Sequence, residues 1–310
     1  MCLKYSLFPH GCGKPGGGLF INAQIDEILK NNLLQTFFQP IISLDSGEIF
    51  GYEALTRGPE GPLRAPLALF SEAKRYNRLA ELDSLCRNNI LRRAHEQKLG
   101  GMLFINIDPS AVFHHMETPS GLLRAKEEGY AENRIVLEFT MTEDLCQFNS
   151  FVDLVQGLKQ HGYRIACDNM VPGNTAFLSL HNLRPDFIKI DLSKTDDAAA
   201  AIQQSTHTIA QLAHAQVIAV GVHTVEQLRA LVDSGILYAQ GNFLAEPAEI
   251  GPALRENTRA FLRELADRPA NAQPRLHMKR KNGCSAAEPV TRRPPADRMH
   301  PAGPEAEWGR

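Results

Sequence analysis

Six short apolar runs, separated by helix-like stretches, constrain the fold of this chain more than any other feature of its sequence. Each run holds four or five residues, and the segments between them space their apolar residues as an amphipathic helix does. Near-continuous apolar runs are typical of parallel strands that helices cover on both faces. The runs are 102–106, 135–139, 164–168, 187–191, 217–221 and 238–241.

Two further strands precede these runs and are predicted to form a hairpin. An apolar segment at 37–42 leads into the turn residues Asp45-Ser46-Gly47 and then into a strand near 48–56. Parallel strands need a crossover of a dozen or more residues, so this pair must be antiparallel. About eight strands with intervening helices predict a TIM-like (β/α)8 barrel with one antiparallel strand. Helices are predicted near 22–34, 67–97, 119–128, 143–160, 174–182, 194–213 and 224–233.

Composition divides the 310 residues into three segments. Residues 1–20 contain the glycine-rich stretch Gly11–Gly18, which cannot hold a regular element, and we expect a flexible leader there. Residues 21–265 carry the barrel. Residues 266–310 contain seven prolines and a basic cluster. Such a segment buries too little apolar surface to order itself, so a disordered tail is expected.

Charge and cysteine usage exclude several classes of protein. The net charge of −2 gives no global attraction to nucleic acid or to an anionic membrane. The six cysteines form no C-x-x-C pair, which argues against a zinc site and against a disulfide scaffold. No apolar run approaches the roughly 18 residues of a membrane span. We therefore expect a cytoplasmic protein with no specific nucleic-acid partner and no membrane association.

Polar residues close several apolar runs, where the mouth of a barrel would lie. The carboxyl ends of the strands carry the chemistry in this fold, so these side chains are expected to converge. Three carboxylates and an amide oxygen suit Mg²⁺ or Mn²⁺, and a nearby lysine would activate water or neutralise phosphate charge. Any one of them alone would more often be a strand-end cap or a local ion pair. The expected metal ligands are Glu53, Asn106, Glu138 and Asp168, with Lys189 beside them.

The same stretches resemble the motifs of the EAL family of cyclic-di-GMP phosphodiesterase domains. The resemblance covers about residues 21–265, in order and without large gaps. Each motif alone is weak, but their joint order and spacing are specific. The matching segments are Gln39-Pro40-Ile41, Glu53-Ala54-Leu55-Thr56-Arg57, Phe104–Pro109, Leu137-Glu138-Phe139-Thr140, Pro185–Asp191 and Gln240-Gly241.

The resemblance implies an eight-stranded barrel with an antiparallel strand, and a role for each matching residue. The four expected metal ligands fall where the family binds its first metal ion. Lys189 falls where the family keeps a lysine proposed to orient or deprotonate the attacking water. The positions that correspond to contacts with the dinucleotide are Gln39, Glu53, Leu55, Arg57, Asp186 and Gln240.

The departures from the family pattern fall on the second metal ion. Asn169 replaces the second aspartate of the D-D-F-G loop, and Met141 replaces the second glutamate of L-x-T-E. The E-G-V-E segment reads Val220-Gly221-Val222-His223, so both of its glutamates are missing. Glu143 lies two residues beyond the lost acid and would need a different backbone path to replace it. A lone histidine such as His223 is more often simply hydrogen-bonded than a metal ligand.

Three functions follow from these residues. The first is a catalytically impaired EAL domain that acts as a cyclic-di-GMP receptor or as a protein-binding adaptor. The second is a working or slow phosphodiesterase that produces linear pGpG, with Asn169 and His223 holding the second metal. The third, ranked last, is an unrelated sugar-phosphate barrel enzyme, because only Gly221 and Gly241 would supply its phosphate loops. The protein partner and a homodimer stay open.

Overall fold

The computed structural model describes residues 18–109, 130–141, 149–170, 180, 182–194, 215–254 and 256–266. Eight strands in this part of the chain close into a barrel in chain order. The first strand pairs antiparallel with the second and with the eighth, and all other neighbours are parallel, which confirms the predicted barrel. The strands are β1 (Gln35–Ser43), β2 (Ile49–Arg57), β3 (Met102–Asn106), β4 (Ile135–Thr140), β5 (Arg164–Met170), β6 (Phe187–Asp191), β7 (Gln216–Val220) and β8 (Tyr238–Gln240).

Six α-helices longer than two turns lie in the described part of the chain. They are α1 (Gly18–Asn31), α2 (Pro66–Arg75), α3 (Leu79–Glu96), α4 (Asn149–Gln160), α5 (Val225–Asp233) and α6 (Glu256–Ala266). No helix in these ranges has the length and apolar character of a membrane span.

The helix bounds differ from the sequence prediction in three places. The single helix predicted over 67–97 is two helices. Asn77 adopts a left-handed backbone conformation with a φ of 56°, which interrupts the helix between α2 and α3. α1 begins at Gly18, inside the predicted leader, and α6 was not assigned from the sequence. The helix predicted over 119–128 lies outside the described residues, as do all but residue 194 of the helix predicted over 194–213 and nearly all of 174–182. Residues 1–17 of the predicted leader and 267–310 of the predicted tail also lie outside them.

A bulge in the first hairpin closes the base of the barrel with aromatic rings. Ile41 pairs with Gly51 and Ile42 with Ile49, so Phe50 has no partner on β1. The Phe50 ring lies 4.1 Å from that of Tyr238 and 5.7 Å from that of Phe187, centroid to centroid. These buried rings form an apolar floor that keeps water away from the layer above it.

The polar residues form one layer above this floor, because side chains alternate along each strand. The inward pairs, floor residue first, are Phe104 and Asn106, Val136 and Glu138, Ala166 and Asp168, Phe187 and Lys189, and Tyr238 and Gln240.

The polar layer does not coincide with the strand ends. Glu138 and Asp168 are each followed by two more strand residues, and β2 continues to Arg57, which pairs with Gln35. Glu53, Glu138 and Asp168, which close apolar runs in the sequence, therefore do not close their strands. Only Asn106 among the expected metal ligands does so. The alternation of the strands, rather than their termination, sets the height of the site.

Candidate functional site

Lys189 lies at the centre of the polar layer. Its ammonium donates to Oε2 of Glu53 at 2.6 Å and to Oε1 of Glu138 at 2.7 Å. Strands β6, β2 and β4 bring these three residues together, and none is more than 3% exposed. A buried charge is tolerated only when it is paired, so the two carboxylates and the ammonium stabilise one another.

Glu53 accepts further hydrogen bonds from residues of β3 and β8. Asn106 Nδ2 donates to Glu53 Oε1 at 3.1 Å, and Gln240 Nε2 donates to Glu53 Oε2 at 2.8 Å. Burial raises the pKa of Glu53, but the Lys189 charge and the hydrogen bonds outweigh it and lower the pKa to about 2. Glu53 is therefore a carboxylate whose two oxygens both accept hydrogen bonds.

Glu138 differs from Glu53 in having one oxygen to spare. Its Oε2 is buried and has no hydrogen-bond partner among the residues that the structure describes. Burial and the Glu53 charge raise the pKa of Glu138 to about 8, with Lys189 opposing and Asp168 adding to the rise. Asp168, on β5, is only 6% exposed. The layer thus carries three acidic groups against one ammonium, which is an excess of negative charge in a buried place.

The chemistry of these donors fits one hard divalent cation. The spare Glu138 oxygen and the excess negative charge are what such an ion would satisfy, and the donors available to it are Glu53, Asn106, Glu138 and Asp168. Their arrangement is not that of a finished site. Within the described ranges, no group of three or more His, Cys, Asp or Glu converges as metal ligands do. Lys189 stands between Glu53 and Glu138, where convergence would otherwise occur.

A cavity of about 280 Å³ opens above the polar layer. Glu53, Asp168 and Lys189 form its floor. Its walls come from β1, from the ends of β6, β7 and β8, and from the loops that follow those three strands. Its volume is at the lower end of the range for small-molecule sites. The wall residues are Gln39, Asp191, Ser193, Val220, Gly221, His223, Gln240, Gly241 and Asn242.

Asp191, Ser193 and Asn242 were not predicted as site residues. Asp191 follows Lys189 by two positions on β6, and this period-two spacing was a signal that it faces the same cavity. Its Oδ1 accepts from the backbone N–H of Ser193 at 3.1 Å and from its hydroxyl at 2.7 Å. No local pattern marks Asn242, because a contact with a distant strand places it.

Gln39 makes that contact and connects the antiparallel strand to the loop after β8. Gln39 Nε2 donates to Asn242 Oδ1 at 3.2 Å and to the Ala245 carbonyl at 3.1 Å. Gln39 Oε1 accepts from Gln240 Nε2 at 3.1 Å. The chain Gln39, Gln240 and Glu53 is therefore continuous, and the structure brings all three predicted ligand-binding residues to the cavity.

The glycine after Gln240 is required by a close approach of two backbones. A Cβ on Gly241 would lie 2.2 Å from the Val222 carbonyl oxygen. The two loops are joined there, since Val222 N–H donates to Gln240 O and Phe243 N–H donates to Val222 O, both at 3.1 Å. The wall that carries His223 is thereby fixed to the wall that carries Asn242.

Leu55 and Arg57 do not line the cavity. Both are half-buried and lie farther along β2. The guanidinium of Arg57 stands 5.9 Å from the Phe37 ring centroid, and its Nη1 donates to the Thr56 carbonyl at 2.9 Å. Their predicted ligand contacts stay a prediction.

Asp186 lies at the end of the barrel opposite the cavity, and its predicted ligand contact stays a prediction. It precedes β6, so it sits at the amino end of a parallel strand, whereas the cavity lies at the carboxyl ends. Its Oδ2 accepts from the Ile165 N–H and from Lys159 Nζ, each at 3.1 Å. Asp186 therefore ties the loop before β6 to β5 and α4.

The departures from the acidic pattern have local structural explanations. Asn169 has a φ of 62° where the β5–β6 pairing shifts register, a conformation that asparagine tolerates. Met141 is 2% exposed and packs in the hydrophobic core. His223 donates its backbone N–H to Gln227 Oε1 at 2.7 Å, and its exposed side chain borders the cavity. Glu143 lies outside the described residues.

Residues 22–247 match the model of the EAL domain. The blue light- and temperature-regulated antirepressor BluF of Escherichia coli K12 is 28% identical over 217 residues, which are 67% of this chain and 53% of BluF. The probable cyclic di-GMP phosphodiesterase PdeG of the same organism is 28% identical over 243 residues, 73% of this chain and 48% of PdeG.

A solved relative shares the barrel. The manganese/cyclic-di-GMP complex of Klebsiella pneumoniae BlrP1 superposes with a TM-score of 0.62 at 24% identity, over 72% of this chain and 59% of BlrP1. That likeness shows the fold alone, and this chain spans about half the length of BluF and PdeG. Since the domain match covers more than half of the chain, the protein belongs to the EAL domain family.

Proposed function

We propose that this chain acts in cyclic-di-GMP signalling as a catalytically impaired EAL domain, a receptor for the dinucleotide or an adaptor for a protein partner. The observation that carries the proposal is a cluster of two glutamates and a lysine beside a neutral residue. Glu53, Glu138 and Lys189 meet at hydrogen-bond distance, while Asn169 follows Asp168 on the same strand without a charge. Binding groups are thus retained where part of the cleavage apparatus is lost.

The names of the relatives support both forms of the proposal. PdeG is named a probable cyclic di-GMP phosphodiesterase, and BlrP1 was solved with manganese and cyclic di-GMP. BluF is named an antirepressor, which is a function exerted on another protein. The names of the relatives thus include both a phosphodiesterase and an antirepressor, and the proposal keeps both forms.

The cavity wall, the cavity floor and a bound metal ion would each contribute to binding the dinucleotide. Gln39, Gln240 and Asn242 present amide groups on the cavity wall, and Gln240 is held by its bonds to Gln39 and Glu53. Lys189 fixes the two glutamates of the floor. One Mg²⁺ or Mn²⁺ held by Glu53, Asn106, Glu138 and Asp168 would supply positive charge for phosphate oxygens.

Efficient cleavage needs more negative charge than this site provides. Two-metal cleavage of a phosphodiester requires anionic ligands for both ions. Asn169 offers an amide oxygen without charge, Met141 is packed in the core, and His223 is not an acid. A loss of roughly 4–6 kcal/mol in transition-state stabilisation corresponds to a rate about 10³–10⁴ lower.

Calorimetry with cyclic di-GMP tests the receptor form. We expect micromolar binding to the wild-type chain, and at least about tenfold weaker binding to Gln240→Ala, because its amide joins Gln39 to Glu53. Gln156→Ala is the matched control, since Gln156 donates to the Asn182 and Leu183 carbonyls outside the cavity. No binding by the wild-type chain would contradict the receptor form and favour the adaptor.

The second candidate is an active or slow phosphodiesterase that produces pGpG. The convergence of Glu53, Glu138 and Lys189 favours it, because these residues would be dispensable in a pure adaptor. Product analysis with Mn²⁺ separates the candidates. Turnover by the wild-type chain supports the phosphodiesterase. Turnover that appears only in Asn169→Asp supports the impaired domain.

A further inference from the structure

We infer that Lys189 is an internal competitor for the divalent cation of this centre, so that its ammonium sets the cation affinity. The inference rests on the cation site of the proposed function and not on the binding of the dinucleotide. It concerns a second role for Lys189, namely control of how tightly the carboxylates hold a divalent cation.

The first argument is the position of the ammonium. Lys189 Nζ lies 2.6 Å from Glu53 Oε2 and 2.7 Å from Glu138 Oε1, so it occupies the space between the two carboxylates that are to share an ion. A magnesium or manganese ion binds oxygen at a similar or shorter distance. An ion that uses the same two oxygens would therefore meet the ammonium at close contact.

The second argument is burial. Lys189 is 2% exposed, Glu53 3% and Glu138 1%, so little water screens the repulsion between an ammonium and a dication. At the surface this repulsion would be weak. Inside the barrel it must be relieved by movement of Lys189, or it lowers the affinity for the ion.

The third argument is an asymmetry between the two glutamates. Glu53 already accepts three hydrogen bonds, because Lys189 and Gln240 donate to its Oε2 and Asn106 donates to its Oε1. Glu138 Oε2 is buried and accepts no hydrogen bond from the residues that the structure describes. An incoming ion therefore finds a ready ligand at Glu138, whereas at Glu53 Oε2 it competes with two donors.

A second lysine provides a matched control. Lys159 also pairs with one carboxylate, Asp186, at 3.1 Å, but it lies at the other end of the barrel with 24% of its side chain exposed. Replacing Lys159 by Met removes one positive charge, as Lys189→Met does, but it leaves the contacts of Glu53 and Glu138 unchanged.

The test is a calorimetric titration of Mn²⁺ into the wild-type chain, Lys189→Met and Lys159→Met. We expect Lys189→Met to bind Mn²⁺ at least about tenfold more tightly than wild type, because three carboxylates then face the ion without an ammonium. Lys159→Met should match wild type. Equal or weaker binding by Lys189→Met would overturn the inference.

Thermal unfolding keeps the test decisive if the buried carboxylates destabilise that variant. The midpoint of thermal unfolding is measured for Lys189→Met, Lys189→Gln and the wild-type chain, each in EDTA and in Mn²⁺. The inference predicts a larger rise of the midpoint with Mn²⁺ in both variants than in wild type. A smaller or equal rise, or no folding in Mn²⁺, contradicts it. The binding of cyclic di-GMP is measured separately, by calorimetry in EDTA. A failure of this inference can therefore be distinguished from a failure of the proposed function.

Discussion

The side chains of Lys189 and Glu53, which are 136 positions apart in the chain, meet at 2.6 Å in the interior of the barrel. Their contact joins the sixth strand to the second and sets the charge of the cavity floor. It lowers the pKa of Glu53 to about 2 against the effect of burial, so Glu53 stays a carboxylate at all physiological pH values. Four predictions follow from this floor and from the scaffold around it.

Glu138 makes stability depend on pH. Burial raises its pKa from 4.5 to about 8, so the folded chain binds this proton more tightly than the unfolded chain does. The resulting stabilisation is present below pH 4.5 and is lost as the pH rises through 8.

We therefore expect the free energy of unfolding in EDTA to fall between these pH values by more in wild type than in Glu138→Gln. The difference should exceed about 1.4 kcal/mol, the equivalent of one pKa unit. Urea denaturation at both pH values measures it. An identical fall in the two proteins would show that Glu138 is not the group responsible.

Gly241→Ala should damage the cavity wall. The new Cβ would lie 2.2 Å from the Val222 carbonyl oxygen, and backbone atoms cannot move aside as a flexible side chain does. We expect a loss of stability of more than about 2 kcal/mol, together with weaker ligand binding. Gly157→Ala is the control, because no atom of the described part of the chain lies within 4 Å of the added Cβ. Alanine there should stabilise α4 by about 0.5–1 kcal/mol. Thermal unfolding of both variants decides the matter.

The ion pair between Asp83 and Arg87 on α3 should be costly to break. Both residues are buried, at 2% and 5% exposure. Arg87→Met would leave the Asp83 carboxylate buried without its cation, which costs about 3–5 kcal/mol. Arg92→Met breaks the i,i+4 pair with Glu96 on the same helix, but that pair is half exposed and should cost about 0.5 kcal/mol or less. Similar losses in the two variants, measured by denaturant unfolding, would contradict this account.

α6 should be an integral part of the fold although it lies beyond residue 247, where the domain match ends. Leu262 is 1% exposed, and its side chain lies against Gly47 in the first hairpin. Leu262→Ala should cost about 2–5 kcal/mol, whereas Ile250→Ala, at a position 77% exposed, should change stability by about 0.5 kcal/mol or less. Calorimetric melting points report both. A negligible effect of Leu262→Ala would mean that α6 is dispensable.

The strands of the barrel were predictable because burial on both faces leaves a local mark in the sequence. Runs such as 102–106 and 187–191 became strands with the predicted bounds. The short turn around Gly47 likewise forced the antiparallel pair. These features depend on neighbours in the chain, and the sequence displays them directly.

The errors arose where register or distant contacts decide the outcome. Asp186 belongs to the same motif as Lys189, but it precedes β6 at the base of the barrel, whereas Lys189 lies in the polar layer. Asn242 accepts a hydrogen bond at the cavity wall from Gln39, which is 203 positions away. The break between α2 and α3 rests on the backbone angle of Asn77, which the apolar pattern does not record.

The most direct measurement is a single-turnover incubation of the purified chain, in excess over cyclic di-GMP, with saturating Mn²⁺. A cavity floor whose negative charge is only partly offset by Lys189, with the neutral Asn169 beside it, should bind the dinucleotide. It should cleave the dinucleotide at a rate about 10³ or more below the usual 1–10³ s⁻¹ of enzymes. Formation of pGpG at an ordinary enzymatic rate, abolished by Glu53→Ala, would contradict the account.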